Sequence, residues 1–186
     1  MKEKTLEYFE SVKKIYADAR PNSRRLHTEA CKYMPGGDTR TATFFLPFPN
    51  FIKYGDGAYM YDEDGFKLLD FQNNYTSLIH GHAHPETVEA VREQIAKGSA
   101  YTAPFEKQIE LSAILTQRFP SVGMIRYTNS GTEANMHALR IARAYTGKAK
   151  IIKTEGGYHG TTDVFEASVD PNIKKAGTLD QIKVIP

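Results

Sequence analysis

One junction near the middle of the chain constrains its fold more than any other feature. Residues 123–128 (GMIRYT) form a short apolar run of strand type, and residues 131–146 then place apolar side chains at helical spacing. A second apolar run follows at 149–154 (AKIIKT). Strand, helix and strand in this order predict a βαβ unit with two buried parallel strands and a right-handed crossover. A chain containing such a unit belongs to the α/β class.

The residues at the junction are Thr128-Asn129-Ser130-Gly131-Thr132-Glu133-Ala134-Asn135. The first backbone N–H groups of a helix have no partner within it, and the macrodipole makes that end positive. A phosphate placed there collects several N–H bonds at once, and the hydroxyls of Ser130 and Thr132 add donors. A second reading of the same residues is a capping box, with Ser130 and Glu133 satisfying the helix start between them and binding nothing. No G-x-G-x-x-G and no G-x-x-x-x-G-K-[ST] occurs anywhere in the chain, so a cup for one phosphate fits better than one for a pyrophosphate or a triphosphate.

Directly after the second strand-like run stands Glu155-Gly156-Gly157-Tyr158-His159-Gly160. Ligands of parallel sheets gather at the carboxyl ends of adjacent strands, which brings this loop beside the Ser130 junction. Flanking glycines allow close approach, and the flat ring of Tyr158 suits stacking on a heteroaromatic group. A structural tyrosine in a turn is the alternative.

The earlier part of the chain reads as connected smaller elements. Leu6, Phe9, Val12 and Tyr16 recur at helical spacing, and a second amphipathic stretch follows Ser23. Pro35-Gly36-Gly37 closes that region, and Pro47 and Pro49 keep residues 35–50 extended as a strap. Between Phe51 and Phe71 the pairs Asp56-Gly57 and Asp64-Gly65 separate strand-like runs, which predicts a three-stranded antiparallel meander. Pro85 opens a helix that Gly98 stops, another helix runs from about Phe105 to Phe119, and residues 182–186 (IKVIP) read as a further strand.

Composition narrows the function classes. The 40% apolar and 25% charged residues suit a core-forming protein, and the formal net charge of +2 is interleaved rather than clustered, so nucleic acid is not an indicated partner. Cys31 is the only cysteine and cannot form an internal disulfide; with no leader-like start and no apolar run of membrane-spanning length, the expected location is the cytoplasm. His80, His82 and His84 alternate, but without cysteine or acidic companions they are a weak case for a metal site.

NSGTEA followed about two dozen residues later by GGYHG resembles the class III aminotransferases, which are fold type I enzymes using pyridoxal 5'-phosphate (PLP). PGG, GAYMYDEDG and GHAHP fall in the same order as in that family, and the likeness covers nearly everything after residue 33. It implies N-terminal helices and a meander over residues 1–72, then the first part of a large, mostly parallel PLP-binding domain over 73–186, truncated within its sheet. It also implies that Ser130, Gly131 and Thr132 hold the cofactor phosphate and that Tyr158 packs on the pyridine ring.

The strap Met34-Pro35-Gly36-Gly37-Asp38-Thr39-Arg40 is similar to the branch containing glutamate-1-semialdehyde aminomutases and β-amino-acid aminotransferases. Within that branch Arg40 becomes the candidate for binding a substrate carboxylate, since a planar guanidinium can pair with one through two parallel hydrogen bonds. A surface arginine is the other reading. Tyr75 stands where the aminomutases carry a pocket tryptophan, a difference that favours transamination.

The expected reaction of the whole enzyme is amino transfer from an amino acid to a 2-oxo acid, with an aminomutase as the second possibility. The resemblance also implies a homodimer, and it places the Schiff-base lysine and the acidic partner of the pyridine nitrogen beyond residue 186. None of Lys148, Lys150, Lys153, Lys174 or Lys175 has a matching context, so no catalytic residue is assigned. Residues 1–186 alone are then expected to be inactive, and a non-catalytic cofactor-binding or assembly module is the alternative of another class.

Overall fold

The computed structural model describes residues 2–40, 43–166, Val169 and 182–185. The chain divides into two compact units, Met1–Tyr101 and Thr102–Pro186.

In the first unit, helix α1 (Lys2–Ala19) is followed at once by α2 (Pro21–Ala30), where Pro21 takes the first helical turn, a position whose N–H is unpaired in any case. A 3-10 turn at Pro35–Gly37 leads into the strap. Strands β1 (Ile52–Asp56), β2 (Tyr59–Asp62) and β3 (Lys67–Leu69) form the expected antiparallel meander in the order β1-β2-β3, with a bulge between Ile52 and Tyr54. Both hairpin glycines adopt positive φ, Gly57 at 53° and Gly65 at 87°, as the turn pairs require.

The core of this unit is a knot of rings around one guanidinium. Tyr16 meets Phe45 and Phe48 at centroid distances of 5.7 and 5.3 Å, and Phe48 is only 4% exposed. Arg20 lies over the rings of Tyr16 and Phe66 at 4.5 and 4.1 Å. Asp62, 2% exposed, holds that guanidinium through Oδ2 at 3.3 Å and accepts the N–H groups of Asp64 and Phe66 on Oδ1. Burial pushes the Tyr16 hydroxyl up to about 12.

Helix α2 has no side-chain cap from its own sequence. Asp64, at the β2–β3 turn, supplies one: its carboxylate accepts Asn22 N at 2.7 Å, Ser23 N at 3.0 Å and the Ser23 hydroxyl at 2.6 Å. Burial acts to raise the Asp64 pKa, but the hydrogen bonds from Ser23 and Asn22 outweigh it and hold the carboxyl below its usual range. Two elements some forty residues apart are joined in this way.

Past β3 the chain makes a short turn, α3 (Asn73–Thr76), which winds left-handed, with φ between 46° and 70° at all four residues. Helix α4 (Pro85–Ile95) starts at its proline, and Gly98 follows at φ 105°.

In the second unit, α5 (Glu106–Arg118) and α6 (Gly131–Thr146) occupy the expected ranges, and Gly147 ends α6 in the left-handed region at φ 67°. Strand β4 (Ile151–Thr154) precedes the short α7 (Asp163–Glu166) and pairs in parallel with β5 (Ile182–Ile185), in register from Ile151 opposite Ile182. Pro186, the last residue of the expected final strand, lies outside the described residues.

Residues 123–128 correct the sequence reading. They carry no strand assignment, pair with nothing in a ladder among the described residues, and leave Met124 95% exposed. An apolar run becomes a strand only when a neighbour supplies the hydrogen bonds, so the parallel pair seen is β4 with β5 rather than 123–128 with β4. The expected burial of β4 is also unrealised, because Ile152 is exposed and the buried side chain of the strand is Lys153. Its ammonium donates to the Phe165 carbonyl at 2.7 Å, and burial lowers its pKa against the opposing pull of Glu166.

Candidate functional site

The start of α6 is capped by its own residues. Ser130 is the N-cap, its hydroxyl accepting Glu133 N at 3.2 Å, while the Glu133 carboxylate reaches back to Asn129 N at 2.7 Å. Only the serine half of a capping box is formed, because Glu133 bonds the N–H that precedes the cap rather than that of Ser130. It leaves the N–H groups of Ser130, Gly131 and Thr132 without a hydrogen-bond acceptor among the described residues, and the Ser130 hydroxyl keeps its own proton to donate. Among the described residues, apart from its chain neighbours and the backbone of its own helix, no atom stands within 4 Å of the point where a side chain on Gly131 would begin. Open N–H groups at the positive end of a sixteen-residue helix, with free space before them, fit a phosphate group.

The loop after β4 is fastened to this helix start. The Thr132 hydroxyl accepts Thr161 N at 3.3 Å, and Asn135 Nδ2 donates to the His159 carbonyl at 2.8 Å. Gly160, at φ 121°, approaches so closely that a Cβ there would stand 2.9 Å from Thr132 Cα and 2.7 Å from its Oγ1. Glycine is required at 160 on both counts. The loop holding Tyr158 is thus brought against the start of α6, although residues 123–128 form no strand beside β4. Tyr158 is 62% exposed and makes no ring contact among the described residues. His159 contributes its backbone carbonyl here.

In the first unit Arg40 and Tyr75 both line an open cavity of about 670 Å³, whose walls combine apolar side chains such as Met34, Phe45 and Leu78 with polar ones such as Asp38, Asp70 and His82. Asp38 bends the strap at this point by accepting Arg40 N at 3.0 Å and the Thr43 hydroxyl. Those bonds, the Thr43 hydroxyl first and the Arg40 backbone after it, lower the Asp38 pKa. The Arg40 guanidinium donates to Asn74 Oδ1 at 3.2 Å and forms no ion pair among the described residues. With an asparagine rather than a carboxylate on its guanidinium, at the edge of a cavity that Asp38 and Asp70 also line, Arg40 can receive a carboxylate.

The histidines are divided between different tasks. His82 Nε2 lies 2.8 Å from Asp70 Oδ2, and the His82 backbone pairs with Gly57 in an isolated bridge. His80 and His84 bring their rings to 5.1 Å of one another. Among the described residues no group of three His, Cys, Asp or Glu side chains is placed to hold a metal ion. Asp70 also accepts the N–H groups of Gln72 and Asn73, and these bonds, with Asn73 the largest influence, keep its carboxyl below the usual range.

Sequence reasoning missed Asp70 and Asn74 as parts of this cavity. The available signal was Asp70-Phe71-Gln72-Asn73-Asn74, an aspartate followed by backbone donors it can cap and by two asparagines that tolerate positive φ.

Comparison with known proteins bears on the family and the fold. The model of the family described as Aminotransferase class-III matches residues 43–184. A glutamate-1-semialdehyde 2,1-aminomutase of Methanothrix thermoacetophila is 43% identical over 142 residues, which are 76% of this chain and 33% of that protein. The chain therefore spans about a third of the length of the curated relatives it matches. Among solved structures, an omega-transaminase from Sphaerobacter thermophilus superimposes with a TM-score of 0.83 at 42% identity, covering 89% of this chain and 41% of that one. A beta-phenylalanine aminotransferase from Variovorax paradoxus gives a TM-score of 0.85 at 36% identity, covering 95% of this chain and 40% of that one. The fold is that of the N-terminal part of the fold type I transaminases, and the chain belongs to the class-III aminotransferase family.

Proposed function

We propose that the full-length protein is a PLP-dependent aminotransferase that moves an amino group from an amino acid, α or β, to a 2-oxo acid. The observation that supports this most is the helix start at Ser130–Thr132, whose open N–H groups lie under the fastened loop of Tyr158. In this reading Ser130, Gly131 and Thr132 hold the cofactor phosphate, Tyr158 covers the pyridine ring, and Arg40 with Tyr75 receives the carboxylate side of the substrate. The cofactor supplies the electron sink; these residues bind and orient. The lysine that carries the cofactor lies beyond residue 186 in this reading, so residues 1–186 alone bind it reversibly and turn nothing over. The large domain begins near residue 73, and the whole enzyme works as a homodimer.

The test is an amino-transfer assay on the full-length protein with PLP, supplying a β-amino acid or an α-amino acid as donor and pyruvate as acceptor. Donor-dependent alanine formation is the expected result, weakened when Ser130 is replaced by alanine. The names of the curated relatives favour a second reading, an aminomutase that shifts an amino group within one molecule. That enzyme would isomerise glutamate-1-semialdehyde without consuming any 2-oxo acid, and such an outcome with no alanine formed would replace the first proposal by the second.

A further inference from the structure

We propose that Asn74 is a positioning residue that sets the Arg40 guanidinium for a carboxylate ligand; this rests on the reading of Arg40 as the carboxylate site. The argument begins with a proton. Ser77 Oγ donates its single hydrogen to the Asn74 backbone carbonyl at 2.9 Å, so toward the Asn74 side chain it can only accept. It accepts from Asn74 Nδ2 at 2.9 Å, which leaves Oδ1 on the other side of the amide, and Oδ1 is the atom that accepts from Arg40 Nη1 at 3.2 Å. A flipped amide would set NH₂ against a guanidinium, donor against donor, as well as against a hydroxyl whose proton is committed elsewhere. The amide has one workable orientation, and it presents an acceptor to Arg40.

The backbone that delivers Asn74 is held in an unfavourable form. Asn73, Asn74, Tyr75 and Thr76 have φ of 50°, 46°, 57° and 70°. Left-handed winding costs about 1–2 kcal/mol per residue for side chains other than glycine, least for asparagine. Such a run persists only where its surroundings over-determine it, and here the Asp70 carboxylate holds the Gln72 and Asn73 N–H groups while His82 holds Asp70. The same turn places Tyr75 on the cavity that Arg40 lines.

Neutrality is the chemical point. An aspartate at 74 would also orient Arg40, but by forming an ion pair that competes with an incoming carboxylate. An asparagine orients the guanidinium by one hydrogen bond and adds no carboxylate on Nη1 to compete with the ligand.

The experiment uses the full-length protein and two calorimetric titrations, one with 3-phenylpropionate and one with the uncharged 3-phenylpropanamide, so that it reads carboxylate recognition without needing turnover. The wild type is expected to prefer the carboxylate by about tenfold and Arg40→Ala to lose the preference. Asn74→Gly keeps the freedom to adopt positive φ and removes only the amide; it is expected to cut the preference about threefold to fivefold with the amide ligand unaffected. Asn74→Asp, nearly isosteric, is expected to abolish it. If both Asn74 variants keep the wild-type preference while Arg40→Ala loses it, the positioning role is overturned and the carboxylate site stands. If Arg40→Ala also keeps it, or the wild type has none, both readings fall.

Discussion

Helices α2 and α6 both begin with N–H groups that no helical carbonyl can reach, and the chain treats these two ends in opposite ways. At α2 a carboxylate from elsewhere in the protein, Asp64, takes two N–H groups and the Ser23 hydroxyl. At α6 the local residues Ser130 and Glu133 satisfy the flanking donors, and among the described residues the N–H groups of Ser130, Gly131 and Thr132 meet no acceptor. The positive end of a helix attracts an anion in either case. A carboxylate that belongs to the fold turns the end into a structural joint, and an end left open is where the proposed cofactor phosphate would bind.

Substitutions can break each half of that comparison. The largest expected effect is from Asp64→Ala, which strips the cap of α2 and leaves the buried Ser23 hydroxyl without its acceptor. A loss of about 3 kcal/mol is expected in urea unfolding of the full-length protein, with PLP affinity per folded molecule unchanged. A fall in PLP affinity alone would mean that the α2 end is not merely a joint. Next comes Gly160→Ala, where both the positive φ and the contact with Thr132 exclude a Cβ. An alanine there should push the Tyr158 loop off the helix start and weaken PLP binding by at least tenfold, read by cofactor titration; wild-type affinity would show that the loop does not shape the cup.

Ser130→Ala sharpens the comparison, because Ser130 serves both as cap and as candidate ligand. About 1 kcal/mol of stability and a several-fold loss of phosphate affinity are expected together. If only stability falls, the residue is a cap and nothing more.

The smallest effect is one of pH. Asp64 has a folded pKa below its ordinary 3.8, so its contribution is present above that value and lost as the pH falls through the lowered one. The melting temperature of the wild type should therefore drop below about pH 4 more steeply than that of Asp64→Ala, and parallel curves would deny the α2 cap its charge. Asp38 and Asp70 are shifted in the same direction and steepen the acid limb in both proteins.

Much of this was legible in the chain itself because the signals are local. The span of α6 follows from its periodicity between Ser130 and Gly147, and the meander from two Asp-Gly turns. Resemblance to a known family carried the roles of Arg40 and Tyr158, which spacing alone leaves open. The run at 123–128 misled because apolar content measures what a strand needs and not whether a neighbour is present to pair with it. The Asp64 cap lay beyond local reading because it spans some forty residues, and the left-handed turn was signalled only as far as Asn74, since its continuation opposes the intrinsic preference of Tyr75 and Thr76.

By itself the sequence determined the spans of α4, α5 and α6, the glycines of the two hairpin turns, and which hydroxyls and backbone donors stand at the start of α6. Those depend on φ preferences, caps and periodicities that act within a few residues. Only the tertiary structure decided that Asp64 would close one helix end, that Gly160 would press the Tyr158 loop onto the other, and that Asn74 would face Arg40. Each of those is a contact between segments distant along the chain, and its free energy exists only once packing has brought the two together.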